Sequence, residues 1–314
     1  MYMNTEGITA YNKRVLRYKH SMQRIRERRN IFVRFFQNTV AFGFLYIQYL
    51  LARYPQLRWG SEKRVQLFWG MEMILPAQDV GTYTLALYGM MPHRSERRLT
   101  MWMLHNLRPD DVLYDVGAHF GFYTALGAWA TTQGEVHAFE ANEKLGTYLK
   151  RNFDSFPTVY VVSNAVADTM REVDFYDATE DVDSSASSRF NLLDTKRAPQ
   201  SVQAITLDQY VADGHRPPTV IKIDIEGGEY DALVGAEKLI ASHKPRIIME
   251  VWGGDMGKKY SQNAVTKLQG MGYRAYAFLG DGALSPESIH DPLSSIPHDP
   301  NGSRDNLMFI PAEK

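Results

Sequence analysis

A glycine turn between two short apolar segments is the feature that most constrains the fold of this chain. The segment Val112–Val116 has the composition of a buried parallel strand, and Gly117 and Gly121 interrupt the apolar pattern directly after it. A helical stretch, Thr124–Thr132, separates this turn from a second apolar segment that ends in an acidic residue, Glu140. The pattern predicts a β-α-β unit whose glycine turn lies at the carboxyl end of the first strand.

The composition of the turn favours a nucleoside ligand. Glycine residues let backbone N–H groups approach a ligand closely, and the Glu140 carboxylate can accept hydrogen bonds from both hydroxyls of a ribose. A dinucleotide fingerprint needs glycine where His119 stands, and a phosphate-binding loop needs lysine where Phe122 follows Gly121. The sequence therefore favours a nucleoside without phosphates, of which S-adenosylmethionine is the common cofactor.

A second informative segment, Val220–Glu226, alternates apolar and charged side chains. Its isoleucines are predicted to point to one side of a strand, and Lys222, Asp224 and Glu226 to the other. A central parallel strand is normally apolar on both faces, so packing does not readily explain three charges that run to its carboxyl end. We expect these charges to line a reactive edge of the sheet.

The remaining segments alternate between helix and strand patterns. This order predicts an α/β fold with a doubly wound, mostly parallel sheet of seven strands that ends in an antiparallel hairpin. Ligands of such sheets bind at the carboxyl ends of the strands. The residues predicted at those ends are Gly117–Gly121, Glu140, Asn164, Asp224 and Glu250. The other predicted segments are helices Asn142–Phe153, Tyr230–Ser242 and Asn263–Met271, strands Thr158–Val162, Val173–Tyr176 and Arg246–Glu250, and the hairpin of Arg274–Phe278 and Asn306–Ile310. Ile205–Val211 is predicted as a short strand that leads into a turn of helix.

Residues 1–95 are predicted to be a helical N-terminal extension of a domain that covers residues 96–314. Residues 13–34 are rich in lysine and arginine, and residues 31–51 have the spacing of an amphipathic aromatic helix. Polar side chains within that helix disfavour a membrane span. We therefore expect the segment to pack on the domain, to join two subunits, or to lie on an anionic membrane surface.

The connector, residues 54–95, is interpreted as a lid, an acceptor wall or a structural cover. Val65–Leu75 is an apolar run, and Asp79–Leu87 alternates like a short strand. Ser95 is predicted to cap a helix over Glu96–Leu107, which leads into the first strand of the domain.

Composition excludes several classes of site. The chain has 314 residues, a formal net charge of -1 and no cysteine. Disulfides, thiolate catalysis and cysteine-ligated metals are therefore excluded, and the balanced charge does not favour nucleic acid as a partner. The start of the chain lacks the pattern of a secretory signal. We expect a cytoplasmic protein that is peripheral to the membrane if residues 13–51 bind lipid.

Two sets of motifs resemble a known family. The motif D-V-G-A-H-F-G-F-Y-T, with V-H-A-F-E-A-N after it, resembles motif I and the acidic second strand of class I S-adenosylmethionine-dependent methyltransferases. T-L-D-Q-Y-V, I-K-I-D-I-E-G-G-E-Y-D-A-L-V-G-A, P-R-I-I-M-E and N-L-M-F-I-P resemble the FkbM-type members of that class. The resemblance covers about Glu96–Pro311. It implies a Rossmann-like fold and methyl transfer to hydroxyl oxygens of sugars, glycans or polyketide-type products.

The resemblance also implies roles for individual residues. Asp115, Gly117 and Gly121 match the cofactor loop, and Glu140 matches the ribose-binding acid. Asp224, Glu226 and Glu229 match the acidic block of the family, and His119 replaces the asparagine most often expected in the loop. The predicted catalytic residues are Asp224, Glu226, Lys222 and His119, and the predicted cofactor-binding residues are Asp115, Gly117, Ala118, His119, Gly121, Tyr123, Thr124, Glu140, Asn164 and Asp224.

Transfer to a hydroxyl requires alignment of donor and acceptor and removal of a proton. We expect Asp224 to be the base, because the fourth strand's carboxyl end faces the cofactor methyl in this fold. Lys222 is expected to offset negative charge or to hydrogen-bond the acceptor. His119 is either a second candidate base or a hydrogen-bonded turn residue. Ligation of a divalent cation by Asp224, Glu226 and Glu250 is an alternative that we do not favour.

Two alternative functions stay open at this level. The basic segment, residues 13–34, would be the RNA contact of an RNA methyltransferase, although the chain has no recognised RNA-binding motif. A catalytically inactive, membrane-associated assembly partner would keep the fold without the chemistry. The expected partner is a small-molecule or glycan acceptor, with homo-oligomerisation as a further expectation.

Overall fold

The computed structural model describes residues 62–77, 79–91, 93–175, 200–280, 282–296 and 304–312. The predictions for residues 13–51 and for the serine-rich segment 178–198 lie outside these ranges. By its internal contacts the chain divides into two compact units, Met1–Gly89 and Met90–Lys314. Within the described ranges, no helix is both long enough and apolar enough to cross a bilayer.

The described part of the first unit begins with an antiparallel hairpin. Strands β1 (Glu62–Gln66) and β2 (Glu72–Pro76) pair in register, and Gly70 adopts a φ of 100° in the turn between them. The apolar run Val65–Leu75 is therefore two strands and a turn. The left-handed backbone at Gly70 favours glycine, because other residues are strained there.

The segment after this hairpin corrects the sequence-based prediction. Residues Val80–Tyr88 form helix α1, not a strand. The side chain of Asp79 accepts hydrogen bonds from the backbone N–H groups of Gly81 and Thr82, which satisfies two N–H groups that lack a partner within the helix. The cap, which the alternating pattern does not reveal, favours the helix over the strand.

The second unit contains the predicted seven-stranded sheet. The strand order is β11-β12-β10-β9-β3-β4-β5, in which β10, β9, β3, β4 and β5 are parallel and β12 is antiparallel to both of its neighbours. The elements are α2 (Arg94–Asn106), β3 (Val112–Val116), α3 (Phe122–Ala130), β4 (Glu135–Phe139), α4 (Glu143–Phe153), β5 (Val159–Val162), β6 (Ala165–Val166), β7 (Arg171–Phe175), β8 (Gln200–Ile205), α5 (Leu207–Ala212), β9 (Val220–Ile223), α6 (Glu229–Val234), α7 (Glu237–His243), β10 (Arg246–Trp252), α8 (Gly254–Tyr260), α9 (Gln262–Gly270), β11 (Tyr273–Ala277), α10 (Pro292–Ser295) and β12 (Arg304–Pro311). The fold class is confirmed.

Apolar side chains from the central strands form the core of this unit. Tyr114 on β3 and Phe139 on β4 are fully buried, with ring centroids 5.4 Å apart. Ile221 and Ile223 on β9 are also buried and belong to the same cluster. Burial on both faces explains why these strands are short, nearly continuous apolar runs. Parallel pairing of β3 with β4 and with β9 places the carboxyl ends of the three strands at one edge of the sheet.

Several predicted boundaries are wrong for identifiable reasons. Helix α2 begins at Arg94, and Ser95 does not cap it, because its hydroxyl bonds to residues of β12. The predicted helix Tyr230–Ser242 is two helices, since Gly235 packs against the backbone of Ala167, where a Cβ would lie 2.0 Å from the carbonyl oxygen. The strand predicted at the start of Ile205–Val211 lies earlier, as β8 in a separate sheet of order β6-β8-β7, and α5 forms the turn of helix predicted after it.

Candidate active site

The glycine turn follows β3 and is held against the end of β4. The N–H groups of Gly117 and Ala118 both donate to the carbonyl oxygen of Phe139, at 3.0 and 2.9 Å. Gly117, His119 and Gly121 adopt φ angles of 82°, 54° and 94°. Left-handed backbone at three of five residues produces a compact turn and is strained at a residue other than glycine. His119 occupies such a conformation in the middle of the turn.

Glu140 connects this turn to α4. Its carboxylate accepts the N–H of His119 at 2.7 Å with one oxygen and the N–H of Asn142 at 2.8 Å with the other. The side chain is buried, and burial raises the pKa of Glu140, although His119 and the backbone N–H groups lower it in part. Each carboxylate oxygen has a second lone pair, so the group can still accept hydrogen bonds from a ribose.

Asp115 is the last but one residue of β3 and lies beneath the turn. One of its carboxylate oxygens accepts a 2.8 Å hydrogen bond from the hydroxyl of Thr124. The other has no hydrogen-bond partner among the described residues, and the ammonium of Lys222 lies 3.7 Å from it. Burial raises the pKa of Asp115, and Lys222 and Thr124 offset part of that rise.

Lys222 is buried among carboxylates and an aromatic ring. Its ammonium donates to Asp224 at 3.2 Å and lies 4.9 Å from the ring centroid of Tyr123. Burial alone lowers the pKa of a lysine, but Asp224, Asp115 and nearby Glu96 together raise the pKa of Lys222 above its ordinary value. The ammonium is therefore a fixed positive charge between β3 and β9.

The acidic block is a turn, not a continuation of the strand. Strand β9 ends at Ile223, and Glu226 and Gly227 have φ angles of 49° and 99°. The Glu229 carboxylate accepts the N–H groups of Ile225 and Gly227, each at 3.1 Å. Burial raises the pKa of Glu229 to about 7. The alternating pattern placed Asp224 and Glu226 on one face of a strand, and this prediction is wrong because both residues lie in the turn after β9. The Glu229 side chain stabilises that turn.

A second group of charges lies beside this turn. One oxygen each from Asp224, Glu226 and Glu250 lie within 4.8 Å of one another. Arg304, at the start of β12, contacts Glu226 at 3.2 Å and Glu250 at 3.5 Å, and its guanidinium lies 5.3 Å from the ring of Trp252. Burial and Asp224 raise the pKa of Glu250, and Arg304 lowers it in part. Arg304 therefore supplies positive charge at the cluster where the sequence suggested a divalent cation as an alternative.

Two other predicted residues have defined surroundings. The imidazole of His119 lies near the carboxylates of Glu140 and Glu226, and it offsets part of the rise that burial causes in the pKa of each. The side-chain amide of Asn164 donates to the carbonyl oxygen of Gln203 on β8 at 3.1 Å. Asn164 therefore contacts the small sheet through this hydrogen bond, and its cofactor role stays a prediction.

Sequence analysis missed a buried polar network that joins α2 to β12. Glu96 accepts a 2.6 Å hydrogen bond from the hydroxyl of Tyr123 and a 2.8 Å hydrogen bond from the amide of Asn306. Ser95 donates to Asp305 at 2.6 Å and accepts the N–H of Asn306, and Arg98 pairs with Asp305. Local sequence patterns do not reveal this network, because Ser95 and Glu96 bond to Asp305 and Asn306, about 210 positions further along the chain.

The charges around the turn fit a cationic nucleoside cofactor. Asp115, Glu140 and Asp224 are acidic, and the neighbouring lysine, Lys222, already pairs with two of them. Such a set suits ribose hydroxyls and a positive charge and repels phosphate. S-adenosylmethionine meets these requirements, and Glu140, the turn residues and Asp115 would hold it.

Comparison with known proteins is consistent with this chemistry. The family model of the FkbM methyltransferase domain matches residues 115–275, just over half of the chain. The hexuronic acid methyltransferase AglP of Haloferax volcanii is 27% identical over 163 residues, which are 51% of this chain and 64% of that protein. The chain thus spans less than two thirds of that relative's length.

Two solved structures are among those to which this chain is similar. One is methyltransferase FkbM from Methylobacillus flagellatus, with a TM-score of 0.44, 14% identity, and coverage of 74% of this chain and 54% of that chain. Another is an O-methyltransferase from Bacillus cereus in complex with SAH, with a TM-score of 0.39, 12% identity, and coverage of 70% and 82%. On the strength of the family match over residues 115–275, this chain belongs to the FkbM methyltransferase family.

Proposed function

We propose that this chain is an S-adenosylmethionine-dependent O-methyltransferase that acts on a hydroxyl of a sugar or glycan. One observation carries the proposal: the Asp224 carboxylate, paired with Lys222 at 3.2 Å, follows the strand adjacent to the glycine turn. A candidate base and a candidate cofactor loop therefore share the edge where α/β sheets bind ligands.

The side chains supply the functions that hydroxyl methylation requires. When bound, S-adenosylmethionine would supply a sulfonium methyl group. The acceptor oxygen would bond to the methyl carbon while the carbon–sulfur bond breaks and leaves its electron pair on sulfur. The proton of the acceptor hydroxyl would pass to a base. Asp224 is the proposed base, because it lies directly after β9, the strand that pairs with β3, and its carboxylate is held by Lys222 at 3.2 Å. Glu140 and the turn orient the cofactor. Glu229 positions Asp224 through its bonds to the following turn.

The acceptor is proposed to be a sugar. AglP is described as a hexuronic acid methyltransferase, and a relative at 27% identity supports a carbohydrate more than a nucleic acid. Glu226 and Glu250 fit this class, because carboxylates can accept hydrogen bonds from sugar hydroxyls. Arg304, which contacts both, holds them in place.

The alternatives from sequence are weaker proposals. RNA is a weaker proposal because the relative AglP is described as a methyltransferase of a hexuronic acid, and because this chain has a formal net charge of -1. An inactive assembly partner would have no use for a buried lysine that pairs with the Asp224 carboxylate. Peripheral membrane contact through residues 13–51, which lie outside the described ranges, stays a proposal. A cytoplasmic location and homo-oligomerisation also stay proposals.

Titration calorimetry with S-adenosylmethionine tests the cofactor assignment. We expect the intact chain to bind it, and Glu140→Ala to weaken binding by roughly tenfold or more, because two or more hydrogen bonds to a charged group are lost. The matched control is Glu172→Ala, an exposed acid on β7, which should bind as the wild type does. Unchanged affinity in Glu140→Ala would remove Glu140 from the cofactor site.

A further inference from the structure

The buried cation of the site has more carboxylates around it than it can neutralise. Lys222 lies 3.2 Å from Asp224 and 3.7 Å from Asp115. A third carboxylate, Glu96, reaches the same place from α2, since it bonds at 2.6 Å to the hydroxyl of Tyr123, whose ring faces the Lys222 ammonium. Among the described residues, Glu96 forms no ion pair of its own.

The surroundings of Glu96 are those of an uncompensated charge. Burial and the nearby Asp224 carboxylate raise the pKa of Glu96, and its hydrogen bonds to Tyr123 and Asn306 and the charge of Lys222 lower it only in part. Each oxygen of Glu96 accepts a hydrogen bond, one from Tyr123 and one from Asn306, which suits a carboxylate better than a glutamine with one acceptor oxygen. A carboxylate is costly there unless a second positive charge arrives.

We propose that the Glu96 carboxylate is a specificity residue that selects the positively charged methyl donor over the neutral product, S-adenosylhomocysteine. This inference rests on the proposed function. The donor carries one positive charge on its sulfur, and the product carries none. Because Glu96, Asp115 and Asp224 surround a single lysine, a positive charge placed at their edge gains electrostatic energy that the product does not. The product is therefore released in exchange for the donor.

The test compares three ligands on the intact chain by titration calorimetry. The ligands are S-adenosylmethionine, S-adenosylhomocysteine and sinefungin, an analogue with an ammonium group in place of the sulfonium. In Glu96→Gln, whose side chain has the same shape, we expect affinity for the two charged ligands to fall by roughly five- to tenfold. Affinity for S-adenosylhomocysteine should change by less than about twofold.

Two further variants separate charge from structure. Glu96→Asp keeps the charge on a side chain that is one methylene shorter, which weakens the contacts to Tyr123 and Asn306, and we expect it to keep the preference for charged ligands. Glu237→Gln removes a carboxylate that is 60% exposed and pairs with Lys267 on the surface, and it should leave all three affinities unchanged.

Three outcomes would overturn the inference. Equal losses for charged and neutral ligands in Glu96→Gln would make the role structural, and unchanged affinities would exclude Glu96 from recognition. Either result leaves the proposed function intact, since the wild type would still bind the donor. A wild-type chain that binds none of the three ligands would overturn the proposed function and this inference with it.

Discussion

Gly117 and Asp224 are so close that a Cβ atom on residue 117 would lie 1.9 Å from the backbone carbonyl oxygen of Asp224. The N–H of Asp224 also donates to the carbonyl oxygen of Val116 at 3.0 Å. Gly117, which the sequence assigned to close approach of a ligand, therefore also permits close approach of the backbone that follows β9. The cofactor loop and the acidic block are one packed unit.

This contact predicts the effect of Gly117→Ala. The added methyl group must displace backbone, and alanine is strained at a φ of 82°, so we expect a loss of about 2 to 4 kcal/mol of unfolding free energy. Cofactor affinity should also fall, because the turn moves. Gly272→Ala is the matched control, since Gly272 has a φ of 83° and a Cβ there meets nothing within 4 Å. Chemical denaturation measures both variants, and equal stability of the two would refute the contact.

Replacing Lys222 with methionine is expected to destabilise the protein in a pH-dependent way. The variant leaves the buried Asp115 carboxylate without its cation, at a cost of roughly 3 to 5 kcal/mol near neutral pH. Burial already raises the pKa of Asp115, and the loss of Lys222 raises this pKa further. The carboxyl therefore takes up a proton as the pH falls, and the loss of unfolding free energy becomes smaller. Denaturant titrations at pH 5 and pH 8 check this. A loss that is the same at both would contradict the ion-pair account.

Glu229 predicts a second pH effect, with its sign set by the raised pKa. The folded-state pKa is about 7 against an ordinary value of 4.5, so the folded protein binds more protons between these values. The contribution of Glu229 to stability is therefore full below pH 4.5 and is lost as the pH rises toward 7. Glu229→Gln, which keeps an oxygen for the two N–H donors, should remove this loss and gain up to about 3 kcal/mol relative to the wild type across the window.

Thermal or chemical denaturation between pH 4.5 and 7.5 measures the slope of unfolding free energy against pH. Glu172→Gln, an exposed acid on β7, is the control and should keep the wild-type slope. If Glu229→Gln also kept it, the buried carboxyl would not titrate in this range.

Chelation is expected to leave methyl transfer unchanged. The Asp224, Glu226 and Glu250 oxygens lie within 4.8 Å of one another, but the Arg304 guanidinium already contacts two of these residues. Since Glu226 and Glu250 pair with Arg304 and Asp224 pairs with Lys222, each carboxylate of the cluster has an ion pair without a divalent ion. Activity assays after dialysis against EDTA test this, and loss of activity that Mg²⁺ restores would assign the cluster to a metal.

Segments with a continuous apolar pattern were predictable from sequence. Strands β3, β4 and β10 and the final hairpin occur where predicted, because burial on both faces leaves a strong compositional signal. The closeness of the glycine turn, Glu140 and Asp224 follows from strand order alone.

Other features depend on contacts that a local pattern does not contain. The alternation in Val220–Glu226 predicted one charged face, but the strand ends at Ile223, and the Glu229 side chain fixes a turn after it. Glu96 is hidden in an ordinary amphipathic helix, and its partner Asn306 lies at the other end of the chain. Such pairings are set by tertiary packing, so sequence periodicity does not reveal them.

The most direct test of the account is transfer of a labelled methyl group. The intact chain is incubated with S-adenosylmethionine labelled with ¹³C in its methyl group and with hexuronic-acid-containing oligosaccharides, and the products are analysed by NMR and mass spectrometry. We predict a labelled methyl ether on a sugar hydroxyl, and a rate at least about a hundredfold lower for Asp224→Asn, which should still bind cofactor. Label found only on nitrogen, carbon or RNA, or full activity of Asp224→Asn, would contradict the account.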